Sequence, residues 1–389
     1  MKKIKILYYD PSSGYGGSAR SLRDILIKLD KNRFQPIVAV IDDGPAIKEM
    51  EKLGFDVRLL IDKKGTSGPV FRAELINGYW NFLTYILRRV FPLTYKLSKL
   101  IKEEQIDIVH VNTLIRTGLE AIFAGRLSRI PVICHLRSTC DWTRIERIVS
   151  HVVSKSICLT DEAKNRYMQY THVDKLIRIY NGIDLEKGLY KNSNKDIKKE
   201  LGIDNKYKIV GIVGRITEGK GHDVFLEAAK IVLSQYSETK FLIVGDTLTE
   251  KELKKNLVVL SENLGISNAV IFAGWRNDVL DVISIMDVLV QASTTFPEGF
   301  SRTCIEAMSL DIPLVVSNIS GHSEIVVDGE TGFIVPPGDA KSMADAILTL
   351  INDEHLADKF ARNGRKRAEE FFDLNKIVKQ IENIYFELC

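Results

Sequence analysis

The sequence lacks any apolar run that could cross a membrane, because no stretch approaches the roughly 18 uncharged apolar residues of a spanning helix. The opening MKKIKILYYD has a basic start, but its apolar run stops at Asp10, too soon for a signal peptide, and favours a first buried strand. Five cysteines without a C-x-x-C pair predict neither a disulfide framework nor a structural zinc site. We therefore expect a protein of the reducing cytoplasm.

Internal repeats and low-complexity tracts are also missing, and the net charge is only +3. The charge is nevertheless uneven, with roughly 30 Lys and Arg against 20 Asp and Glu in residues 1–184, and roughly 24 against 31 in the remainder. Such asymmetry predicts an anionic partner for the basic half, with an ordinary solvated surface as the alternative.

Short apolar runs rich in Val and Ile alternate with longer helical patterns along all 389 residues. Runs of this kind are typical of buried parallel strands, and the alternation predicts two doubly wound sheets, each with its own core. A polar, strand-free stretch follows YNGIDL, so we place a boundary at residue 184, a second domain over 185–370 and a C-terminal amphipathic helix over 371–389. The predicted strands are IKILYY, PIVAVI, DVRLL, DIVHV, PVICHL, KSICLT, KIVGIV, KFLIV, AVIFA, DVLVQA and PLVVS.

Ligands of open parallel sheets bind beyond the carboxyl ends of the strands, so the loops there are the candidate sites. After the first strand, DPSSGYGGSAR places Gly16 and Gly17 where a helix begins, and free N–H groups at a helix start can receive a phosphate. An ordinary strand-to-helix turn is the alternative. In GRITEGKGHD, Arg215 and Lys220 lie five positions apart on a turn and could close on a diphosphate, although solvated surface charge is the usual role of such residues.

The stretch FPEGFSRTCIEAM carries two carboxylates, Glu298 and Glu306. Pro and Gly keep Glu298 in a loop, whereas Glu306 falls inside an apolar helix that starts near Ser301, where a buried acid needs a partner. Ribose or sugar hydroxyls would serve, and an internal ion pair is the alternative. The amides of Phe300, Ser301, Arg302 and Thr303 could receive a phosphate.

Two histidines end strands in the first half of the chain. His135 in ICHLRS precedes Arg137 by two positions, and His110 in IVHVNT is placed similarly. A single strand-end histidine is more often a hydrogen-bonded structural residue than a functional one. A structural and a functional role are therefore both open for each of them.

Taken together, these loops resemble the retaining GT-B glycosyltransferases of family four. The resemblance rests on GYGG after the first strand, NGID at 181–184, GR-x(4)-KG at 214–221 and PEGF-x(5)-EAM at 297–308, followed by SGHSEIV and DGETG, and spans nearly the whole chain. Three departures are Ser301, Asp311 and His322, each where relatives usually have Gly. They put the preference for a donor sugar in doubt more than the activity.

The resemblance implies two facing Rossmann-like domains, with an acceptor held by residues 1–184, a nucleotide-sugar donor held by 185–370, and UDP as the commonest nucleotide. Glu306 would hold the ribose hydroxyls, and Glu298 would face the donor sugar. Arg215 and Lys220 would neutralise the diphosphate, with the amides of Gly16 and Gly17 closing on it. His135 matches a strand-end histidine that lies near the sugar in relatives.

The implied chemistry needs no metal or other cofactor if the cations and helix N-termini stabilise the departing diphosphate. No carboxylate is clearly a nucleophile. Retention, implied by the family, therefore favours same-face attack, in which a donor phosphate oxygen takes the proton of the acceptor.

The acceptor side contains an aromatic and basic segment, residues 77–104. One helical face, which we expect Pro92 to end, has the pattern typical of a helix at a membrane interface. Its apolar residues are Trp80, Phe82, Leu83, Ile86, Leu87 and Val90. With the basic first half, this predicts peripheral contact of residues 79–102 with anionic lipid and a glycan or lipid-linked acceptor. A helix that covers the core is the alternative.

Three other classes were weighed against this reading. A nicotinamide-dependent oxidoreductase lacks an acidic ribose-binding residue at the right distance, and a glycosidase gives the phosphate-binding loops no purpose. The alternative that remains is a GT-B relative that binds a nucleotide sugar without transfer, as a silent partner subunit, an epimerase or a phosphorylase. No nucleic-acid partner is indicated.

Overall fold

The computed structural model describes residues 2–11, 16–41, 44–60, 83–188, 196–247, 250–295, 299–319 and 321–389. It divides into two compact units, which we call unit 1, Met1–Ile179 with Asn375–Cys389, and unit 2, Tyr180–Leu374. The division falls a few residues before the predicted boundary at 184, and it places residues 371–374 with unit 2. Glu298, Trp80 and Phe82 lie outside the described residues.

Unit 1 contains a seven-stranded sheet of order β3-β2-β1-β4-β5-β6-β7, in which every pairing is parallel. All six predicted strands are present, and the sequence prediction missed the three-residue edge strand β7. The strands are β1 Ile4–Asp10, β2 Phe34–Val40, β3 Asp56–Leu59, β4 Ile108–Val111, β5 Val132–Leu136, β6 Lys155–Cys158 and β7 Leu176–Arg178.

The helices of unit 1 lie between these strands, and the last one ends the chain. They are α1 Gly17–Lys28, α2 Pro45–Lys52, α3 Phe91–Glu104, α4 Leu119–Leu127, α5 Arg144–Ser150, α6 Asp161–Tyr167 and, numbered after the helices of unit 2, α16 Leu374–Leu388. The apolar stripe of α16 is buried throughout, at Leu374, Ile377, Val378, Ile381, Ile384 and Tyr385.

The first strand shows how the sheet separates two faces. Tyr8 pairs with His110 of β4, and the next residue, Tyr9, pairs with Val111. Because side chains alternate along a strand, Tyr8 and His110 share one face and Tyr9 the other. Tyr9 joins the large core built with α3 and α4, whereas Tyr8 contacts Tyr385 of α16.

The helix before β4 differs from its prediction. A π-helical turn, Ile86–Val90, leads directly into α3, so Pro92 lies in the first turn of a helix and does not end one. Phe91 N still donates to Ile86 O in the π-helical turn, and Pro92, which has no N–H, follows where the hydrogen-bond spacing changes. The predicted single outward apolar face is also wrong, because Val90 is buried and Ile86 packs against the core, while Leu87 is exposed.

Unit 2 contains a six-stranded parallel sheet of order β10-β9-β8-β11-β12-β13. Its five predicted strands are present, and the short edge strand β13 was not predicted. The strands are β8 Lys208–Val213, β9 Thr239–Val244, β10 Val270–Gly274, β11 Val288–Gln291, β12 Leu314–Ser317 and β13 Gly332–Val335. Its helices are α7 Leu185–Gly188, α8 Ile197–Glu200, α9 His222–Gln235, α10 Lys251–Asn263, α11 Val279–Ile283, α12 Arg302–Met308, α13 His322–Ile325, α14 Ala340–Asn352 and α15 Glu354–Phe371.

Candidate active site

The loop after β8, residues 214–221, is fixed on one side by the segment that follows β9. Ile216 N donates to Asp246 O over 3.1 Å. Gly245 has a φ of +137°, and a side chain there would place its Cβ 1.9 Å from Gly214 O. The two loops are therefore in backbone-to-backbone contact, which only glycine at position 245 permits.

The same loop is fixed on its other side by the segment after β11. Thr294 N donates to Gly219 O over 2.7 Å. Gly221 has a φ of +71°, and a Cβ there would lie 1.9 Å from Ala292 O. The loop that carries both predicted phosphate-binding cations is thus held between the carboxyl ends of the two strands that flank β8.

The two cations on this loop have different surroundings. Arg215 is exposed and makes no hydrogen bond or ion pair with any residue in the described part of the chain. Lys220 is half-buried and comes just before α9, a helix of 14 residues whose N-cap, Gly221, offers no side-chain cap. Cationic side chains beside uncapped helix N–H groups form an arrangement that favours an anion.

His222, the first residue of α9, was not singled out from the sequence. Its ring is buried, and neither ring nitrogen has a hydrogen-bond partner within the described ranges. Burial lowers the pKa of His222 to about 4, with a further contribution from the charge of Lys220, so the ring is neutral at pH 7. The pattern GKGHD gives no signal for a histidine of this kind.

Glu306, the second carboxylate of the stretch FPEGFSRTCIEAM, is fully buried in α12, as predicted. Arg302 Nη2 lies 3.5 Å from Glu306 Oε1. The two side chains are buried, lie one helical turn apart and form an ion pair. The internal ion pair considered in the sequence analysis is therefore present. A carboxylate has about four acceptor positions, so one guanidinium does not exhaust the capacity of Glu306 to accept hydrogen bonds.

The residues at the start of α12 are mostly buried. Ser301 is the N-cap, and its hydroxyl accepts from Cys304 N over 3.4 Å. The ring of Phe300 packs against Tyr180 and Phe372, with both centroid distances 5.4 Å. Thr303 is half-buried. The helix start predicted near Ser301 is confirmed.

The three departures from the family pattern are accommodated locally. Asp311 has a φ of +58°, a left-handed conformation that Asp adopts more readily than most residues. His322 follows Gly321, whose φ is +84°. Its Nδ1 donates to Ser317 O over 2.8 Å, because a carbonyl oxygen can only accept. Together with Ser301 as the N-cap, each position has a structural role.

In unit 1, Gly16 is the N-cap of α1 and Gly17 its first residue. Gly16 has a φ of −101° and, as a glycine, gives the helix start no side-chain cap. The predicted start of this helix near Ser18 agrees with the structure to within one residue.

Polar residues follow three neighbouring strands of unit 1 and form one hydrogen-bonded chain. Asn112 Nδ2 donates to Asp10 Oδ2 over 2.7 Å. Arg137 donates to Asn112 Oδ1 from both Nε and Nη2, over 2.7 and 2.5 Å. These residues end β1, β4 and β5, and the sequence analysis missed Asp10 and Asn112. Their position at the ends of predicted strands was the available signal.

The two strand-end histidines lie in a second chain on the face that carries Tyr8. His135 Nδ1 lies 3.3 Å from His110 Nε2, and His110 Nδ1 lies 2.6 Å from the hydroxyl of Tyr385. The hydroxyls of Tyr385 and Tyr8 are 2.8 Å apart. Burial, with the nearby charge of Arg137, lowers the pKa of His135 well below its usual value and that of His110 to about 3. His135 Nε2 has no partner among the described residues.

The structure thus assembles the predicted residues within each unit. In unit 2, Arg215 and Lys220 lie on one fixed loop that leads into α9. Arg302 and Glu306 lie on one helix and form an ion pair. In unit 1, His135 and His110 contact each other. Within the described residues, no group of His, Cys, Asp and Glu could hold a metal ion. None of the described helices combines the length and the apolar composition of a membrane-spanning segment.

Two doubly wound parallel sheets with cation-bearing loops at their carboxyl ends define a Rossmann-like, two-domain transferase of the GT-B fold, as predicted. The family model described as "Glycosyl transferases group 1" matches residues 193–367, and "Glycosyltransferase Family 4" matches residues 15–187. Together these two matches span most of the sequence. The chain therefore belongs to the glycosyltransferases of family 4, with a group 1 domain in its second half.

Curated relatives resemble the chain over nearly its full length. It is 28% identical over 391 residues to the UDP-Gal:alpha-D-GlcNAc-diphosphoundecaprenol alpha-1,3-galactosyltransferase of Escherichia coli, with 93% of this chain and 97% of the relative covered. It is 27% identical over 363 residues to the N-acetyl-alpha-D-glucosaminyl L-malate synthase of Bacillus anthracis, with 88% and 91% covered.

Solved structures give the same picture. HepE of Anabaena, crystallised with UDP and with UDP-glucose, has a TM-score of 0.82 at 26% identity, with 99% of this chain and 100% of HepE covered. A glycosyltransferase from Rickettsia africae has a TM-score of 0.85 at 20% identity, with 100% and 99% covered, and therefore supports the fold alone.

Proposed function

We propose that the protein is a retaining, metal-independent hexosyltransferase that moves a sugar from a UDP-sugar to a glycan or lipid-linked acceptor in the synthesis of cell-surface polysaccharide or glycolipid. The observation that carries the proposal is the fixed loop 214–221, with exposed Arg215 and half-buried Lys220 beside an uncapped helix start. The names of the relatives, a UDP-Gal galactosyltransferase among them, and the UDP complexes of HepE support a uridine nucleotide.

In this proposal unit 2 binds the donor. Arg215 and Lys220 bind the diphosphate, and Glu306 accepts hydrogen bonds from the ribose hydroxyls. The amides of residues 300–303 receive the distal phosphate, and Glu298 faces the sugar. In unit 1, the amides of Gly16 and Gly17 also bind the diphosphate, and His135 contacts the sugar.

The proposed chemistry follows from where charge develops. Cleavage of the sugar–phosphate bond leaves negative charge on the departing diphosphate, and preorganised cations stabilise that charge most when no reorganisation is needed. The backbone contacts that fix loop 214–221 supply this preorganisation. We propose that the acceptor attacks from the face that the diphosphate leaves, and that a phosphate oxygen takes the proton of the acceptor hydroxyl.

The acceptor side is proposed to work at the cytoplasmic face of an anionic membrane. Leu87, Phe91 and Tyr95 lie four residues apart along one helical stripe and are 59%, 68% and 70% exposed. Arg88 and Lys99 are exposed on the same helical segment. Exposed aromatic and aliphatic residues with interspersed cations suit the interface of an anionic bilayer.

Sedimentation with vesicles tests the membrane contact. We expect binding to vesicles of anionic lipid and none to zwitterionic vesicles, with loss of binding in the double variant Phe91→Ser, Tyr95→Ser. The matched control is Val258→Ser, Val259→Ser on α10, where Val258 and Val259 are 37% and 50% exposed. Equal sedimentation of the wild type and the Phe91, Tyr95 variant would refute the contact.

A thermal-shift panel of UDP, GDP and ADP tests the donor assignment. A nucleotide at a hundredfold its dissociation constant should stabilise the folded protein by about 2.7 kcal/mol. We expect UDP to raise the Tm of the wild type and not that of Glu306→Gln, an isosteric change that removes the charge. Glu120→Gln in unit 1 is the matched control, since Glu120 is also fully buried. Stabilisation without any transfer of sugar to an acceptor would favour the silent nucleotide-binding relative.

A further inference from the structure

A chain of four buried side chains ends at His135 and determines what that histidine can do. It begins at Tyr8 of β1, passes through Tyr385 of α16 and His110 of β4, and ends at the carboxyl end of β5. His110 and Tyr8 are completely buried and His135 is 1% exposed. No solvent is therefore available to exchange the roles of donor and acceptor along the chain.

The contact between Tyr385 and His110 has one favourable polarity. A phenol O–H is a better donor than an imidazole N–H, and an imidazole nitrogen is a better acceptor than a phenol oxygen. The hydroxyl of Tyr385 therefore donates to His110 Nδ1 over 2.6 Å. The hydroxyl of Tyr8, 2.8 Å away, donates in turn to the oxygen of Tyr385.

This polarity propagates to His135. A neutral imidazole carries one proton, so His110, which accepts at Nδ1, must carry its proton on Nε2. That N–H donates to His135 Nδ1 over 3.3 Å. His135 accepts at Nδ1, and its own proton is therefore on Nε2.

Both rings are neutral for the same physical reason. Burial and the charge of Arg137 lower the pKa of each histidine, that of His110 to about 3. The opposite charge nearby is Glu382 of α16, whose Oε1 accepts from Asp30 N over 2.9 Å. It acts on the two tyrosines, whose pKa values are raised mainly by burial, so both phenols keep their protons.

We infer that Tyr385 and His110 are positioning residues that fix His135 as the tautomer protonated on Nε2, so that His135 offers its ligand a neutral hydrogen-bond donor and not a base. The inference rests on the proposed function only for the nature of the ligand, an oxygen acceptor of the sugar or phosphate. It adds that His135 does not take the proton of the attacking hydroxyl. This agrees with the proposed transfer of that proton to a phosphate oxygen.

Nitrogen-15 NMR of the histidine rings in the free protein tests the tautomer without any ligand. We expect His135, assigned by its loss in His135→Gln, to show a protonated Nε2 and a bare Nδ1 between pH 6 and 8. In Tyr385→Phe the donor to His110 is lost, so nothing fixes the proton of His110. The ring of His135 should then become a mixture of tautomers. Tyr8→Phe is the matched control, since it also removes a buried hydroxyl but leaves Tyr385 to donate, so His135 should keep its tautomer.

Transfer assays with UDP-glucose supply the second readout. His135→Gln keeps an amide donor and has no basic nitrogen, so we expect it to retain about fivefold more kcat than His135→Leu, the value of one hydrogen bond. Equal losses in the two variants, as expected of a base, would overturn the donor role. Tyr385→Phe should lower kcat more than Tyr8→Phe, with the UDP-induced Tm shift unchanged.

The outcomes separate the inference from the proposed function. A proton on Nδ1 of His135, a charged ring at pH 7, or an unchanged tautomer in Tyr385→Phe would each overturn the inference, even in an active transferase. The expected NMR result in a protein that transfers no sugar would refute the proposed function and leave the tautomer assignment standing.

Discussion

The two sheets place polar residues at their carboxyl ends in opposite ways. In unit 1, Arg137 donates twice to Asn112, which donates to Asp10, so the guanidinium and the carboxylate belong to one hydrogen-bonded chain. In unit 2, Arg215 is exposed and makes no hydrogen bond or ion pair with the residues that the structure describes.

Arginines at the carboxyl ends of two parallel sheets can therefore have different roles. A guanidinium already bound to protein acceptors contributes mainly to stability, because its hydrogen bonds would have to break before it could bind a ligand. A guanidinium exposed on a rigid loop contributes little to stability and is ready for an anion. The comparison therefore predicts that stability and activity respond to different substitutions in the two units.

The largest effect is expected at the buried ion pair of unit 2. Glu306→Ala leaves the guanidinium of Arg302 buried without its carboxylate, which should cost about 3 to 5 kcal/mol in the free energy of unfolding. Denaturant titration measures this loss. The double variant Glu306→Leu, Arg302→Met, which removes both charges, should recover much of the stability, and failure to do so would show that the charges are not coupled.

The next effect sharpens the contrast through activity. Arg215→Ala should lower kcat for sugar transfer by about 100- to 1000-fold while the free energy of unfolding changes by no more than about 0.5 kcal/mol. Arg362→Ala, at an exposed arginine of α15 that is 3.9 Å from Asp358, is the control and should change neither quantity. A large loss of stability in Arg215→Ala would contradict the view that this residue is held for a ligand.

The counterpart in unit 1 should behave in the opposite sense. Arg137→Met removes both donors to Asn112 Oδ1 and should lower the free energy of unfolding by about 2 kcal/mol. Arg126→Met, at a more exposed arginine of α4, is the control. Unchanged stability in Arg137→Met would mean that the strand-end chain does not hold the unit together, and the contrast with Arg215 would fail.

The smallest effect is a dependence of stability on pH. The pKa of His222 is about 4 in the folded protein, whereas an unfolded histidine has a pKa of about 6.5. Between these values the unfolded chain binds a proton that the folded ring does not, so stability falls as the pH drops below 6.5. Between pH 7 and 5.5, we expect the free energy of unfolding of His222→Leu to fall by about 1 kcal/mol less than that of the wild type. Denaturant titrations at the two pH values measure this difference. Identical pH profiles would show that folding does not lower the pKa of His222.

Much of the fold could be predicted because the signal is local. Eleven strands were found from runs of Val and Ile, whereas β7 and β13, with three and four residues at the sheet edges, were too short to stand out. The prediction that Pro92 ends a helix was wrong, because no local sequence pattern indicates a π-helical turn before a proline. In the candidate site, the loop positions of Arg215 and Lys220 and the burial of Glu306 were accessible for the same reason.

The pairing of polar groups was not accessible, because it depends on residues far apart in the sequence. Tyr385 is 275 positions from His110, and only the packing of α16 in unit 1 brings its hydroxyl to that ring. Apolar patterns of short range were enough to predict the two parallel sheets and the residue types at their carboxyl ends. The tertiary structure alone decided which of those residues bond to one another, because a buried polar group must be satisfied by whatever the folded chain places beside it.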